Sequence, residues 1–344
     1  METLPTIWFV LIAVLWIGYL FLEGFDLGVG MLMKLLARDE KERRVLLNTI
    51  GPVWDGNEVW LITAGGAIFA AFPLWYAALF SALYIPLLLV LAGLIFRAVS
   101  IEYRGKIDSD RWRAAWDWAI SLGSFVAAFG VGAALALTTT GMPINENGDR
   151  VGGAFWWLNR YAIIGGLAVV GFALIHAGMF LMIKTDGEIR HRARAFVVRL
   201  LPVLLAPIVV WVLVVQFRNN DWFTWPLIGV AVVAVAAAWQ LARMGREMPA
   251  FISLGVFLVA GAAAIFIAAF PVVLPSTLNS AWDLTVTNAS SSDYTLKVMT
   301  VVAAFGVPLV LVYQGWTYWV FRKRISTEHI PDAHPLPVVV DVQV

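Results

Sequence analysis

GPVWDGNEVWLITAGGAIFAAF, residues 51–72, ends as an apolar run but begins with Trp54, Asp55, Asn57 and Glu58. At about 1.5 Å per residue a helix of this length crosses the ~30 Å hydrocarbon core of a bilayer. Phe72-Pro73 closes it, because proline cannot donate the backbone hydrogen bond that would carry the helix on. A segment charged in its first turns and apolar thereafter fits a membrane span whose charges face protein or a hydrated cavity.

The rest of the 344-residue chain has the same character. It is 61% hydrophobic and 14% charged, with a mean hydropathy of +0.81, whereas soluble domains carry roughly 25% charged residues. Apolar runs of spanning length fall at 7–32, 51–72, 74–96, 114–137, 161–183, 196–217, 226–241, 251–270 and 298–321, which predicts nine transmembrane helices. The N-terminus lacks a basic region followed by a cleavage site, so the first run is expected to be a retained span.

Charge distribution sets the expected topology. Of the 24 lysines and arginines, all but Arg150, Arg160, Arg218 and Lys297 lie in alternate connections or the C-terminal tail. Such alternation predicts an outside N-terminus and a cytoplasmic C-terminus. Tryptophans near the predicted ends, among them Trp8, Trp112, Trp157, Trp225 and Trp319, suit the interfacial belt or packing against a neighbouring subunit. The expected organisation is one membrane domain over 1–325 and a cytoplasmic tail over 326–344, with 271–297 as the only sizeable outer connection.

Several chemistries are excluded or narrowed. The chain has no cysteine, which removes disulfides, iron–sulfur clusters and thiolate metal sites. Of four histidines, at 176, 191, 329 and 334, only His176 lies in an apolar run. A six-coordinate haem there would need a second ligand from another subunit, so an interhelical hydrogen bond is the expectation for His176. The net charge of +1 gives no reason to expect a nucleic-acid partner.

Intramembrane charges cost roughly 2.5 to 3.5 kcal/mol each at a helix centre and require a reason. Glu23 and Asp26 lie in the first predicted span, Asp55 and Glu58 in the second, and Arg97 closes the third. With the topology above, all five share the cytoplasmic third of the bilayer. Each acidic pair is spaced by three residues and so shares one helix face. Gly24, Gly28 and Gly30 flank the first pair and allow close helix contact. One reading has Arg97 paired with Asp26 or Asp55 to lock the bundle. The other has surplus carboxyl groups, with Trp54 and Asn57 beside Asp55, forming a proton uptake path, since four acids cannot all be neutralised by one guanidinium.

These segments resemble subunit II of the cytochrome bd-type quinol oxidases. The resemblance is carried by EGFDLGVGML from Glu23, GPVWDGNEVWLITAGG from Gly51 and FRAVSIEYRGKID from Phe96. RWRAAWDW from Arg111, PSTLN from Pro275 and LKVMT from Leu296 extend it over about residues 5–330. It implies an all-α polytopic fold of two four-helix bundles plus one peripheral helix, in the bacterial cytoplasmic membrane. It also implies a heterodimer with a haem-bearing subunit I, which would hold two b-type haems, haem d and the quinol site, while this chain alone binds none. Oxygen would be reduced to water with quinol electrons and cytoplasmic protons. On this resemblance Asp55 matches the acid at the cytoplasmic mouth of the proton route, with Trp54 beside it; Asp26 and Arg97 match a buried charged pair. Glu58 stands where relatives often have glutamine. The resemblance leaves room for small single-span accessory subunits and for a structural quinone or lipid on this subunit.

Two other classes remain at this stage. Intramembrane acids with an arginine also mark ion-coupled secondary transporters, although those sites usually lie at the bilayer midplane on broken helices in related repeats. A purely structural subunit is the third.

Overall fold

The computed structural model describes residues 3–219 and 221–331. His334 and most of the tail expected over 326–344 lie outside the described residues. Twelve α-helices follow in order: α1 (Thr3–Leu36), α2 (Glu40–Ile50), α3 (Trp54–Ala71), α4 (Pro73–Ala82), α5 (Tyr84–Tyr103), α6 (Asp110–Thr140), α7 (Arg160–Lys184), α8 (Gly187–Leu204), α9 (Ala206–Asn219), α10 (Trp225–Arg243), α11 (Glu247–Ala269) and α12 (Asp293–Val320). A short antiparallel ribbon, β1 (Val272–Leu274) with β2 (Leu284–Thr285), precedes α12.

Among the described residues eight helical stretches are long and apolar enough to cross a membrane, α8 and α9 forming one of them. The expected span over 51–72 is helical as α3 but is not among the eight. Asp55, Asn57 and Glu58 in its first turns make it too polar. Two expected spans are interrupted. That over 74–96 breaks at Leu83 between α4 and α5, where Pro86 cannot donate to the carbonyl of Ala82. That over 196–217 lies on α8 and α9 and breaks at Leu205, with Pro202 and Pro207 on either side.

The first basic connection is itself a helix. Asp39 caps α2 by accepting from the Glu42 amide (2.8 Å), and Val45, Leu46 and Ile50 are buried. On the opposite end of the molecule, 271–292 is not the only sizeable connection, because 141–159 is comparable. The two are stitched together: Met142 N donates to Pro275 O (3.0 Å), Thr277 N to Met142 O (2.8 Å) and Ser276 Oγ to Ile144 O (2.6 Å). The Pro275–Asn279 string of the sequence is therefore a docking corner for the earlier connection.

Most of the apolar length of α7 is shielded by α1, α6, α8 and α9, which makes it the centre of the molecule. Small residues permit that approach. A Cβ on Gly28 of α1 would lie 2.0 Å from Ala173 O of α7, and one on Gly123 of α6 2.4 Å from Gly93 O of α5. Both neighbours are backbone and cannot move aside like a side-chain tip. By contrast, α12 stands outside, with Leu296 its only buried residue. It is tied at its N-terminal end by Trp8 Nε1, which donates to Leu296 O (3.3 Å) and Thr300 Oγ1 (3.1 Å).

The alternation of basic residues is visible as a joined basic end. Arg104 binds Glu40 and Asp117, Arg192 binds Glu42, and Glu247 binds both Arg190 and Arg324. These pairs link α2, α5, α6, α8 and α11 with the segment after α12. Lys184 donates to the carbonyl oxygens of Phe321 and Lys323, and Arg324 to those of Met182 (2.9 Å) and Thr185 (2.7 Å). The segment after α12 is thereby strapped across the end of α7.

Candidate functional site

Arg97, in the last two turns of α5, is fully buried. Its Nη1 lies 2.9 Å from Glu23 Oε1 of α1 and 3.3 Å from Glu58 Oε2 of α3. Glu23 is fully buried and Glu58 half-buried. The Trp54 ring stands 6.0 Å from the Arg97 guanidinium carbon, at the outer limit of a cation–π contact.

The expected pairing of Arg97 with Asp26 or Asp55 is corrected by this geometry. Asp26 is as deeply buried as Arg97, but its Oδ2 accepts from Asn57 Nδ2 at 2.6 Å. Asn57 lies between the two acids of α3 and faces α1, so its amide reaches Asp26 first, leaving Arg97 to Glu23 and Glu58. Asp55 is exposed in the first turn of α3, with no hydrogen bond or ion pair among the described residues. Of the five charged groups placed together by sequence, the structure joins Glu23, Asp26, Glu58 and Arg97 and leaves Asp55 on the surface of this chain.

Asn57 is the hub that ties α12 to this cluster. Its Oδ1 accepts from Gln314 Nε2 (2.9 Å) and Tyr318 Oη (2.8 Å), and its Nδ2 also donates to Leu22 O (3.2 Å). Trp60 Nε1 donates to Gln314 Oε1 at 3.0 Å. Gln314 and Tyr318 escaped the sequence reading, although an amide inside the apolar run of α12, one turn from a tyrosine, was a legible signal.

Hydrogen bonding within the cluster is incomplete. Arg97 Nε and Nη2, Asp26 Oδ1, Tyr19 Oη and Ser124 Oγ are buried without protein partners among the described residues. Buried polar groups are ordinarily satisfied by protein or water. Three carboxyl groups around a single guanidinium also leave more acid than base in the low-dielectric interior.

Glu58 has a second environment. It is the one charged residue on the wall of a cavity of about 1150 Å³ that is otherwise lined mainly by apolar and aromatic side chains, among them Trp75, Tyr76, Phe172 and Trp211. Trp75 Nε1 is buried there without a partner, whereas Trp211 Nε1 donates to Thr139 Oγ1 at 3.1 Å.

Beyond the end of α5, Arg104 donates to both oxygens of Glu40 (2.7 Å each) and to Asp117 (2.5 Å). Burial opposes its charge, but the hydrogen bonds to Glu40 and Asp117 outweigh it and hold the guanidinium above its ordinary range. Arg43 adds a weaker approach to Asp117 at 3.7 Å. Asp117 thus has a structural partner at the basic end.

His176 does not make the expected interhelical hydrogen bond. Both ring nitrogens lack partners, and Phe21, Phe25, Phe172 and Phe251 surround the buried imidazole at centroid distances of 4.9 to 5.6 Å. Edge and face contacts with phenyl rings replace the polar partner. No group of three or more metal-ligating side chains occurs among the described residues.

The cytochrome bd terminal oxidase subunit II family matches residues 4–321. Cytochrome bd ubiquinol oxidase subunit 2 of Bacillus subtilis is 41% identical, over 95% of this chain and 98% of that protein. Cytochrome bd-I ubiquinol oxidase subunit 2 of Escherichia coli is 38% identical, over 96% and 97%. The fold is similar to a chain in the structure of bd oxidase from Geobacillus thermodenitrificans, with a TM-score of 0.78 and 19% identity, covering 94% of this chain and 100% of that one.

Proposed function

The chain belongs to the cytochrome bd terminal oxidase subunit II family, and from that membership we propose that it is the haem-free second subunit of a membrane quinol:oxygen oxidoreductase. Its partner is a haem-bearing subunit I, which carries two b-type haems, haem d and the quinol site and reduces oxygen to water. This chain scaffolds that partner and supplies part of the proton path from the cytoplasm. Small single-span subunits complete the assembly. In this reading the basic end faces the cytoplasm, α3 is the ninth span, and the helices form two four-helix bundles with α12 at the periphery.

The observation that carries the proton role is the surplus of carboxyl groups over guanidinium in the Glu23–Asp26–Glu58–Arg97 cluster. A surplus carboxyl group can hold a proton, and the orphaned polar atoms around it suit a chain of water molecules. Asp55 collects protons at the surface beside Trp54, Glu58 is half-open between surface and interior, and Glu23 lies within. Arg97 keeps the inner acids in position. The enclosure of His176 by phenyl rings supports the assignment of all haem to the partner. The large cavity beside Glu58, with the unpartnered Trp75 indole as a donor for a carbonyl, is the place for a structural quinone or lipid.

The test uses the complete oxidase. Asp55→Asn and Glu58→Gln should each lower quinol oxidase turnover while the reduced-minus-oxidised haem spectrum keeps its amplitude. Full turnover in both variants would remove these acids from the proton path.

A further inference from the structure

The basic end of α8 and α10 holds a pocket of about 300 Å³ lined by His191, Arg194, Ala195, Val198 and Arg243. Elsewhere at this end arginines face carboxylates, as in Arg192–Glu42, Arg104–Asp117 and Arg190–Glu247. Neither Arg194 nor Arg243 has a carboxylate within ion-pair distance among the described residues. Glu247, the acid nearest to Arg243 in sequence, is taken by Arg190 (2.5 Å) and Arg324 (2.7 Å).

The two unpaired guanidinium groups are nevertheless fixed. Arg194 Nε donates to Ala242 O at 2.9 Å and its Nη2 to Arg243 O, which caps the C-terminus of α10. It packs over Gly245, where φ is +75° and a Cβ would lie 2.9 Å from Nη1. Arg243 stacks at 4.9 Å on the Trp239 ring, and Trp239 Nε1 donates to Val198 O at 2.9 Å. A tryptophan in the last turns of α10, with its indole anchored on α8, fits the headgroup level of a bilayer. Arg199, just over one turn deeper on α8, is exposed and also lacks a carboxylate partner. Exposed apolar side chains of the same two helices, Val203 and Val232 among them, continue toward the lipid core.

Guanidinium groups held in place at headgroup depth, Arg194 half-buried and Arg243 exposed, with an apolar helix surface beyond them, match a phosphodiester joined to acyl chains. We propose that His191, Arg194 and Arg243 form a binding site for the phosphate of an anionic phospholipid, with Arg199 reaching up to the same headgroup. The site is separate from the carboxylate cluster and independent of the proposed proton path. Its ligand is a lipid of the leaflet at the basic end rather than free phosphate, because the apolar surface continues from the pocket.

The test is native mass spectrometry of the purified, delipidated oxidase complex, titrated with dioleoyl-phosphatidylglycerol, with dioleoyl-phosphatidylcholine or with inorganic phosphate. The unmodified complex should retain phosphatidylglycerol preferentially. Arg243→Gln should weaken that retention about five-fold and Arg194→Gln/Arg243→Gln by more, on the scale of ~1 kcal/mol per basic residue near a charged lipid surface. Arg111→Gln, an exposed arginine of the same end, should leave retention unchanged. Equal retention by Arg243→Gln, equal uptake of phosphatidylcholine, or displacement of phosphatidylglycerol by inorganic phosphate would each overturn the proposal. Among the described residues the Arg243 side chain makes no hydrogen bond or ion pair beside its stack on Trp239, and Gln keeps the backbone carbonyl that Arg194 binds, so its single variant remains interpretable if removal of the Arg194 cap unfolds the α10 end.

Discussion

Arg97 and Asn57 divide the work of holding the buried acids. Arg97 faces two carboxylates from α1 and α3, and its removal would leave Glu23 buried with no cation beside it. Arg97→Ala should therefore cost about 3 to 5 kcal/mol, the scale of a broken buried ion pair, and be seen as lower yield and haem content of the complex. Unchanged yield would mean that the cluster tolerates the uncompensated acid. Asn57 links Asp26 to Gln314 and Tyr318, so Asn57→Leu strips one carboxylate and two donors of their partner at once. A loss of about 1 to 3 kcal/mol per group left unsatisfied predicts a lower thermal midpoint of the complex. Gln314→Leu, which leaves the Asn57–Asp26 bond in place, should lower it less.

At the scale of elements, helix contacts here rest on missing side chains as much as on present ones. Gly28 meets the backbone of α7 and cannot accept a Cβ without separating α1 from the central helix. Gly28→Val should abolish accumulation of the chain in membranes, as measured by immunoblot, whereas Gly56→Ala, with open space around it, should not. The outlying α12 behaves differently, because it is held by ties and not by a packed face. Trp8 holds its N-terminal end, Asn57 its last quarter and the Lys184–Arg324 strap the segment just beyond its C-terminal end. Trp8→Phe retains most of the apolar bulk but removes the donor to Leu296 and Thr300. It should raise protease cutting at 286–293 in the purified complex while the haem spectrum persists; equal cutting would show that the indole bond is not what holds that end.

The whole molecule is a joined basic end, an apolar middle with a polar inclusion off its centre, and a stitched opposite end. Ion pairs at the basic end connect α2 with α8 and α8 with α11, helices that have few direct contacts, and Glu247 clasps α8 and the segment after α12. On the function proposed above, haem sits outside this plan. The chain expressed alone should bind none, and b and d haem spectra should be found only when the large partner subunit is co-expressed. Stoichiometric haem on the isolated chain, read from a pyridine haemochrome assay, would refute the assignment of haem to the partner.

What the sequence by itself determined was lipid as the solvent, the alternating order of basic connections, and the acids and arginine that meet below the basic end. Hydropathy and charge act residue by residue along the chain, so these features need no knowledge of neighbours. The tertiary structure decided who pairs with whom. Spacing put Glu23 and Asp26 on one helix face and left Arg97 free to choose; only the lateral placement of Asn57 assigned Asp26 to an amide and Arg97 to Glu23 and Glu58. The polar contact of α12 with that cluster and the phenyl enclosure of His176 were hidden for the same reason. Partner choice within a buried cluster depends on ångström-scale differences between helices distant in sequence, which no local pattern encodes.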